Sequence, residues 1–417
     1  MQSLKDMFSH PRSDLLAGVV VFLVAVPLCL GIAIASGVPP VSGLVAGVVG
    51  GLVVPFLSRS PLSVTGPAAG LTAIVLFETK SLGSFERFLM ATVIAGFVQA
   101  LLGALRTGRF ASLVPEAVIK GMLASIGIII VWKQLPALTG SDGGLSSMRA
   151  QFAAGPALVA GASLGILFGW KFTPLARHAM VPPALVVVLT AVGLGAAFEG
   201  SASLALLPSH RVDVPLGGWT ALHAALPVPD WTAVSDPKVW LVGVTVALVA
   251  SIETLLSLQA IDGLDPLKRA SPPNQELVAQ GAANVASGWL GGLPVTAVIV
   301  RSGANLQAGG RERLAALTHG LLLLAAVVFA GAALNRIPLA CLAAVLVQVG
   351  LKLASPKLML EEWRLGWPRF MAFAGTIVGV LATDLLKGVI AGIALELALR
   401  IVAGPRGSLS EIKDPRA

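Results

Sequence analysis

Two stretches of this 417-residue chain decide its fold: SPLSVTGPAAGLTAIV, residues 60–75, and LPVTAVIVRSGAN, residues 293–305. Each places proline and small residues where an apolar segment begins, and each contains a Val-Thr dipeptide, at 64–65 and at 295–296. The apolar run after each dipeptide is shorter than the ~20 residues that a helix needs to cross a bilayer core. We therefore predict two broken helices, each preceded by an extended segment.

The composition is that of an integral membrane protein. Hydrophobic residues make up 56% and charged residues 12% of the chain, and the mean hydropathy is +0.87. A soluble domain carries about 25% charged residues. The apolar run from Asp14 to Ser36 is too long for the core of a signal peptide, so no cleavable leader is expected. Both cysteines lie in apolar runs, which predicts no disulfide framework.

The apolar runs predict fourteen membrane-spanning segments, and hence an all-α polytopic fold. We place the segments at 14–36, 40–57, 65–79, 84–104, 111–132, 155–172, 181–198, 238–258, 275–290, 295–306, 314–334, 337–353, 370–384 and 386–403.

A proline-containing gap at 199–237 is predicted as an extracytoplasmic loop between two repeats of seven segments, 14–198 and 238–403. Because seven is odd, the second repeat has inverted topology. Residues 1–13 and 404–417 are then a cytoplasmic N-terminal segment and a cytoplasmic tail.

The net charge of +8 is explained by topology. Most Lys and Arg residues lie in short gaps between segments, and nearly all of these gaps are cytoplasmic when the N-terminus is cytoplasmic, as the positive-inside rule expects. This predicts a multi-pass protein of the cell inner (plasma) membrane with both termini in the cytoplasm. The lipid bilayer is the expected surrounding, and no nucleic-acid partner is expected.

The broken helices predict an anion site. A helix that begins inside the membrane directs free N–H groups and about half a positive charge at its surroundings. Two such ends from inverted repeats face each other and suit a small anion. Two Pro-kinked spans without a substrate role are the alternative. The predicted anion-binding residues are Thr65, Gly66, Ala68, Ala69, Gly70, Thr296, Val298, Ile299, Val300 and Arg301.

Glu253 lies deep in the segment 238–258, where a charged carboxylate costs about 2.5–3.5 kcal/mol. Ser257 follows one helical turn later on the same face. Their oxygens suit a cation or a proton, and Thr296 is a further candidate ligand for the cation. The alternative is a structural carboxylate bonded to nearby broken backbone.

Arg301 has three possible roles: to raise the potential for an anion, to neutralise Glu253, or to reach the cytoplasmic boundary. We favour the first.

Other patterns point away from catalysis. The five histidines are scattered without metal-ligand spacing, and the sequence contains no G-x-S-x-G, P-loop or C-x-x-C motif. We therefore expect no enzyme activity and no cofactor apart from a coupling ion. Gly43, Gly47 and Gly51 have the small-xxx-small spacing that predicts close helix packing.

Four stretches resemble the sulfate permease family of anion transporters, SulP. They are VAVPLCLGIAIASGVPPVSGLVAGVVGG at 24–51, SPLSVTGPAAG at 60–70, SIETLLSLQAIDGL at 251–264 and the segment 271–310. The resemblance covers residues 12–403. It implies a seven-plus-seven inverted repeat of the UraA/SulP type, with a core domain (segments 1–4 and 8–11) and a gate domain (5–7 and 12–14). It also implies an anion site between the starts of segments three and ten, elevator-like transport and a homodimer.

The resemblance also assigns residues. In its bicarbonate branch an acidic residue and a hydroxyl residue one turn later bind sodium, and Glu253 and Ser257 match these positions, with Glu in place of Asp. In its prestin branch an arginine matched by Arg301 helps to hold the anion. Leu28 stands where the family commonly has Gln, which favours a small substrate with few contacts. The usual cytoplasmic STAS domain is expected to be absent.

We predict a secondary active transporter that takes up bicarbonate with sodium. Moving bicarbonate with a proton is equivalent to moving CO₂, which crosses membranes by itself, so sodium is the sensible partner for bicarbonate. The alternatives left open are a proton-coupled symporter of sulfate or a dicarboxylate, and an anion exchanger or channel.

Overall fold

The computed structural model describes residues 4–108, 115–141, 151–178, 181–216, 218–383 and 385–403. The predicted cytoplasmic tail, 404–417, lies outside the described residues.

The fold is built from helices of very different length. Those before residue 200 are α1 (Leu4–Met7), α2 (Pro11–Ala35), α3 (Pro40–Leu57), α4 (Thr72–Leu82), α5 (Phe85–Ala104), α6 (Glu116–Leu138), α7 (Ala154–Gly169) and α8 (Pro183–Ala197). Those after it are α9 (Gly218–Ala225), α10 (Pro237–Leu264), α11 (Pro273–Trp289), α12 (Ile299–Gln307), α13 (Leu314–Phe329), α14 (Gly331–Leu334), α15 (Leu339–Leu353), α16 (Pro356–Arg364), α17 (Trp367–Ala382) and α18 (Leu385–Ala403).

Two three-residue strands, β1 (Thr65–Pro67) and β2 (Val295–Ala297), and five 3₁₀ helices complete the described elements. The 3₁₀ helices are Ala69–Leu71, Trp170–Phe172, Pro174–Arg177, Pro208–His210 and Trp231–Ser235.

Each of the fourteen predicted segments contains a helix. Within the described residues, seven helices are long and apolar enough to cross a membrane, and three more apolar helices are shorter. The segments predicted to be broken hold the short helices α4 and α12, of 11 and 9 residues. Three described helices lie outside the predicted segments: α1 before the first segment, α9 in the long loop, and α16 between the twelfth and thirteenth segments.

Prolines set many of the helix starts. Proline lacks the N–H that a first helical turn leaves unpaired, and its fixed φ suits that position. The helices with Pro at the first or second position are α2, α3, α8, α10, α11, α16 and α17.

Glycines allow the helices around the broken segments to pack backbone to backbone. The predicted packing role of Gly43, Gly47 and Gly51 is confirmed: a Cβ on Gly47 would lie 2.7 Å from the Cys29 sulfur of α2, and one on Gly51 would lie 2.5 Å from the Gly320 Cα of α13. Gly43 lies against the Cys29 carbonyl.

The chain forms two compact units. The first comprises Met1–Arg109 and Trp132–Gln348 and contains both strands and both broken helices. The second comprises Phe110–Val131 and Val349–Ala417. Within the second unit, the fully buried Glu362 of α16 accepts from Lys120 Nζ of α6 at 2.8 Å and from Arg369 Nε of α17 at 2.8 Å. These ion pairs join three of its helices.

Candidate functional site

The two broken segments meet in an antiparallel strand pair. β1 and β2 pair in the register Thr65 to Ala297, Gly66 to Thr296 and Pro67 to Val295. Outside the ladder, the Val298 N–H donates to the Val64 carbonyl at 3.0 Å. Backbone inside a membrane must find its hydrogen bonds within the protein. Each extended segment therefore satisfies the other.

Side chains of α12 bind the segment that leads into β1. Ser302 Oγ accepts from the Val64 N–H at 2.9 Å, and Asn305 Nδ2 donates to the Leu62 carbonyl at 3.0 Å. Both side chains are fully buried. The second broken helix thus positions the first one directly.

The strands lead into two uncapped helix starts. The N-cap positions Ala68, before the 3₁₀ turn that opens α4, and Val298, before α12, make no side-chain cap. Helix starts without caps leave N–H donors for another acceptor. Two apolar side chains on the first turn of α12, Ile299 and Val300, are 43% and 45% exposed, so this end of the helix is accessible.

The predicted anion residues share this small region. Ala69 and Val298 are half-buried, and the buried members are Thr65, Gly66, Ala68, Gly70, Thr296 and Arg301. The strand pair brings the two sets together across 231 residues of sequence, the separation of Thr65 from Thr296 (296 − 65).

The Glu253 carboxylate of α10 lies at the start of the first broken helix. A Cβ built on Gly70 would lie 2.6 Å from Glu253 Oε2 and 2.9 Å from Cδ, and the Gly70 N–H interacts with the carboxylate. This contact agrees with the alternative role considered for Glu253, that of a structural carboxylate bonded to the backbone of a broken helix. It leaves Glu253 Oε2 buried and without a hydrogen-bond partner among the described residues.

Further hydroxyl groups line α10 and β2. Ser257 is buried one turn after Glu253, and Thr254 Oγ1 accepts from the Ala297 N–H of β2 at 3.4 Å. Thr296 Oγ1 is buried with no partner in the described part of the chain. Unsatisfied buried oxygens are costly, so the orphaned oxygens of Glu253 and Thr296 fit a hard cation or, at the carboxylate, a proton.

The Arg301 side chain of α12 lies in the protein interior. It is fully buried, which removes the prediction that it reaches the cytoplasmic boundary. Arg301 Nη2 donates to Cys29 Sγ at 3.3 Å, and the guanidinium carbon would lie 2.7 Å from a Cβ on Gly66. Within the described residues Arg301 has no ion pair with Glu253. The Arg301 guanidinium therefore packs against Gly66 of β1.

A row of polar side chains on α11, which was not predicted from the sequence, holds the second strand. Asn284 Oδ1 accepts from the Val295 N–H at 2.6 Å, while its Nδ2 donates to the Val295 carbonyl at 3.0 Å and to Gln99 Oε1 at 2.7 Å. Ser287 Oγ donates to the Leu293 carbonyl at 2.6 Å. The Asn284 amide thus pairs with β2 as a neighbouring strand does.

The same row of side chains reaches the first strand. Gln280 Nε2 donates to Thr65 Oγ1 at 2.6 Å and to Glu276 Oε1 at 2.9 Å, and Ser58 Oγ donates to Glu276 Oε2. Polar residues at 276, 280 and 284 recur every fourth position, so they share one face of α11. Polar residues at this spacing in an apolar segment were the sequence feature from which a buried polar face of α11 could have been predicted.

The described residues contain no group of three or more His, Cys, Asp or Glu side chains that could hold a metal ion. A sodium ion would need oxygen ligands of the kind found at Glu253 and Thr296.

Most of the sequence matches one protein family. The match to the sulfate permease family covers residues 12–376. The chain belongs to the sulfate permease family. It is therefore a membrane transporter for anions and not an enzyme.

Two relatives are named for different anions. YbaR of Bacillus subtilis, named as a sulfate transporter, is 27% identical in an alignment of 398 positions that covers 94% of this chain and 77% of YbaR. The bicarbonate transporter BicA of Picosynechococcus is 26% identical in an alignment of 416 positions that covers 95% of this chain and 71% of BicA.

Solved structures share the fold. The transmembrane domain of a cyanobacterial bicarbonate transporter BicA matches with a TM-score of 0.78 and 24% identity, covering 92% of this chain and 98% of that domain. SLC26A9 matches with a TM-score of 0.80 and 18% identity, covering 96% of this chain and 66% of that protein. The fold is thus the fourteen-segment inverted repeat of sulfate permeases. The predicted domain boundaries stay predictions.

Proposed function

We propose that this sulfate permease family member takes up bicarbonate together with sodium. The observation that carries the proposal is the position of Glu253, whose carboxylate lies against Gly70 at the start of the first broken helix and keeps one buried oxygen without a partner. The proposed anion residues begin at the same helix start. Similarity to BicA over 95% of the chain supports bicarbonate as the anion.

The contact suggests how the two ions are coupled. When Glu253 is charged and alone, its carboxylate competes with a substrate anion for the positive end of the broken helix. A sodium ion bound to Glu253, Ser257 and Thr296 cancels that charge. The helix end, with the field of Arg301 behind it, is then free to attract the anion. Sodium binding and anion binding therefore favour each other, which is the thermodynamic requirement for coupled transport.

The setting of the transport step is also part of the proposal. We place the protein in the plasma membrane with both termini in the cytoplasm, as a homodimer. Segments 1–4 and 8–11 form the core, which moves against a gate of segments 5–7 and 12–14 in an elevator-like step.

A second function is favoured by the same orphaned oxygen. A proton satisfies Glu253 Oε2 as well as sodium does, and a proton-coupled carrier of sulfate or a dicarboxylate follows if Glu253 titrates. Similarity to YbaR points in the same direction.

Uptake into proteoliposomes separates the two functions. Labelled bicarbonate and labelled sulfate are offered separately at fixed pH, with sodium and membrane potential varied independently. We expect bicarbonate uptake that requires an inward sodium gradient. Sulfate uptake that follows a pH gradient and ignores sodium would replace the proposal with the second function.

A further inference from the structure

Behind the strand pair lies a buried polar cluster formed by Cys29 of α2, Arg301 of α12 and His319 of α13. All three side chains are fully buried. Their helices pack around Gly47 of α3, where a Cβ would lie 2.7 Å from Cys29 Sγ and 3.9 Å from Arg301 Nη1. The cluster lies within the first compact unit.

Arg301 is under-satisfied in this cluster. The guanidinium has five N–H donors and remains charged. The sulfur of Cys29 takes one bond, whereas Nε and Nη1 are buried without a hydrogen-bond partner among the described residues. A buried cation that lacks acceptors is strongly unfavourable.

His319 has the complementary deficiency. Both of its ring nitrogens are buried and have no hydrogen-bond partner within the described ranges. Arg301 contributes to the electrostatic environment of the ring. Leu323, one turn further along α13, lies 2.7 Å from a Cβ built on Gly47, beside Arg301 Nη1. This face of α13 therefore borders the guanidinium.

A neutral imidazole always offers one acceptor nitrogen, and a protonated imidazole offers none. The ring nitrogen can meet Arg301 directly after a change of rotamer or through one bridging water molecule, which is nearly as good as a direct bond. No carboxylate forms an ion pair with Arg301 in the described part of the chain, so the imidazole is the acceptor at hand.

We infer that His319 is a positioning residue for anion binding: it accepts a hydrogen bond from Arg301 and holds the guanidinium against Gly66, behind the start of the first broken helix. The inference rests on the anion-binding part of the proposed function. It is independent of whether bicarbonate or sulfate is carried and of the coupling ion.

A double-mutant cycle tests the inference. His319→Leu and Arg301→Met are made singly and together, and half-saturation is measured for labelled bicarbonate and for labelled sulfate in parallel at saturating sodium. For variants with weak uptake, binding is measured instead as the rise in the unfolding temperature of the purified protein when the same anions are added at increasing concentration. Loss of one hydrogen bond to a charged group predicts that His319→Leu raises the half-saturating concentration about tenfold. His319→Gln keeps an acceptor and should remain within about threefold of the wild type on that basis.

The decisive result is non-additivity. In the Arg301→Met background, His319→Leu should change half-saturation by less than about twofold, because the group that it positions is gone. His210→Leu is the matched control: His210 is also buried but lies in the loop 199–237, and its replacement should leave half-saturation unchanged. If His319→Leu is as harmful without Arg301 as with it, His319 only packs the core and the inference is wrong. His319→Met provides the same comparison should the leucine variant fail to fold.

A switch from bicarbonate to sulfate as the transported anion would overturn the proposed function. The double-mutant cycle could still be interpreted after such a switch, because half-saturation is measured for both anions.

Discussion

The Glu253 carboxylate and the Gly70 backbone share one small space at the start of the first broken helix. A Cβ on residue 70 would lie 2.6 Å from Glu253 Oε2, so only glycine lets a carboxylate from α10 come this close. The N-terminal end of a helix stabilises a negative charge, which explains how the carboxylate is tolerated there. The contact also means that any change of charge at Glu253 is felt where the proposed anion binds.

Gly70→Ala should therefore weaken sodium coupling without unfolding the protein. The added methyl group pushes the carboxylate from the helix start, and we expect the half-saturating sodium concentration to rise about tenfold, the equivalent of about 1.4 kcal/mol. Uptake against sodium concentration measures it. Gly161→Ala is the control, because a Cβ there meets nothing within 4 Å. Unchanged sodium dependence in Gly70→Ala would count against the coupling role of this contact.

Glu253→Gln should abolish sodium dependence and most uptake, because the amide is neutral and cannot replace the carboxylate as a cation ligand. Ser257→Ala should only weaken apparent sodium affinity.

One sodium with one bicarbonate is electroneutral, so a membrane potential, worth about 2.3 kcal/mol per charge per 100 mV, should not drive uptake. Flux measured at a series of clamped potentials, with the sodium gradient fixed, checks this. Uptake that rises steeply with potential would contradict the stoichiometry.

Ala69→Leu should fill the space between the two helix starts. Ala69 is half-buried and is itself one of the proposed anion residues, and three added carbon atoms leave no room for an ion. We expect loss of uptake with normal folding, judged by size-exclusion chromatography. Ala391→Leu on the exposed face of α18 is the control and should transport normally. A folded Ala69→Leu variant with normal transport would remove the site from this position.

Asn284→Ala should destabilise the fold. The change removes three buried hydrogen bonds, two to Val295 and one to Gln99, and leaves their partners unsatisfied, at a cost of about 3 kcal/mol in the free energy of unfolding. Asn274→Ala removes a single bond, from the Gly108 N–H at 2.9 Å, and should cost about 1 kcal/mol. Denaturant unfolding in detergent compares the two. Equal losses would mean that Asn284 does not support β2.

Much of the architecture could be predicted from local sequence. Hydropathy located the fourteen segments, because each must present apolar side chains to lipid over a fixed thickness. Prolines at the helix starts and the Gly/Pro-rich stretches at 60–75 and 293–305 located the breaks, because these residues limit the backbone conformations available. Small-residue spacing identified Gly47 and Gly51 as packing positions.

The partners of the buried polar groups were decided only by the tertiary structure. Hydropathy shows that Gln280, Asn284 and Arg301 lie in the membrane, but not which group satisfies each of them. Thr65 is 215 residues away from Gln280, and Cys29 is 272 residues away from Arg301. Helix periodicity is a local property, whereas a hydrogen bond requires two groups to meet in space. The strand register, the contact of Glu253 with Gly70 and the direction of Arg301 therefore emerge only when the distant segments pack together.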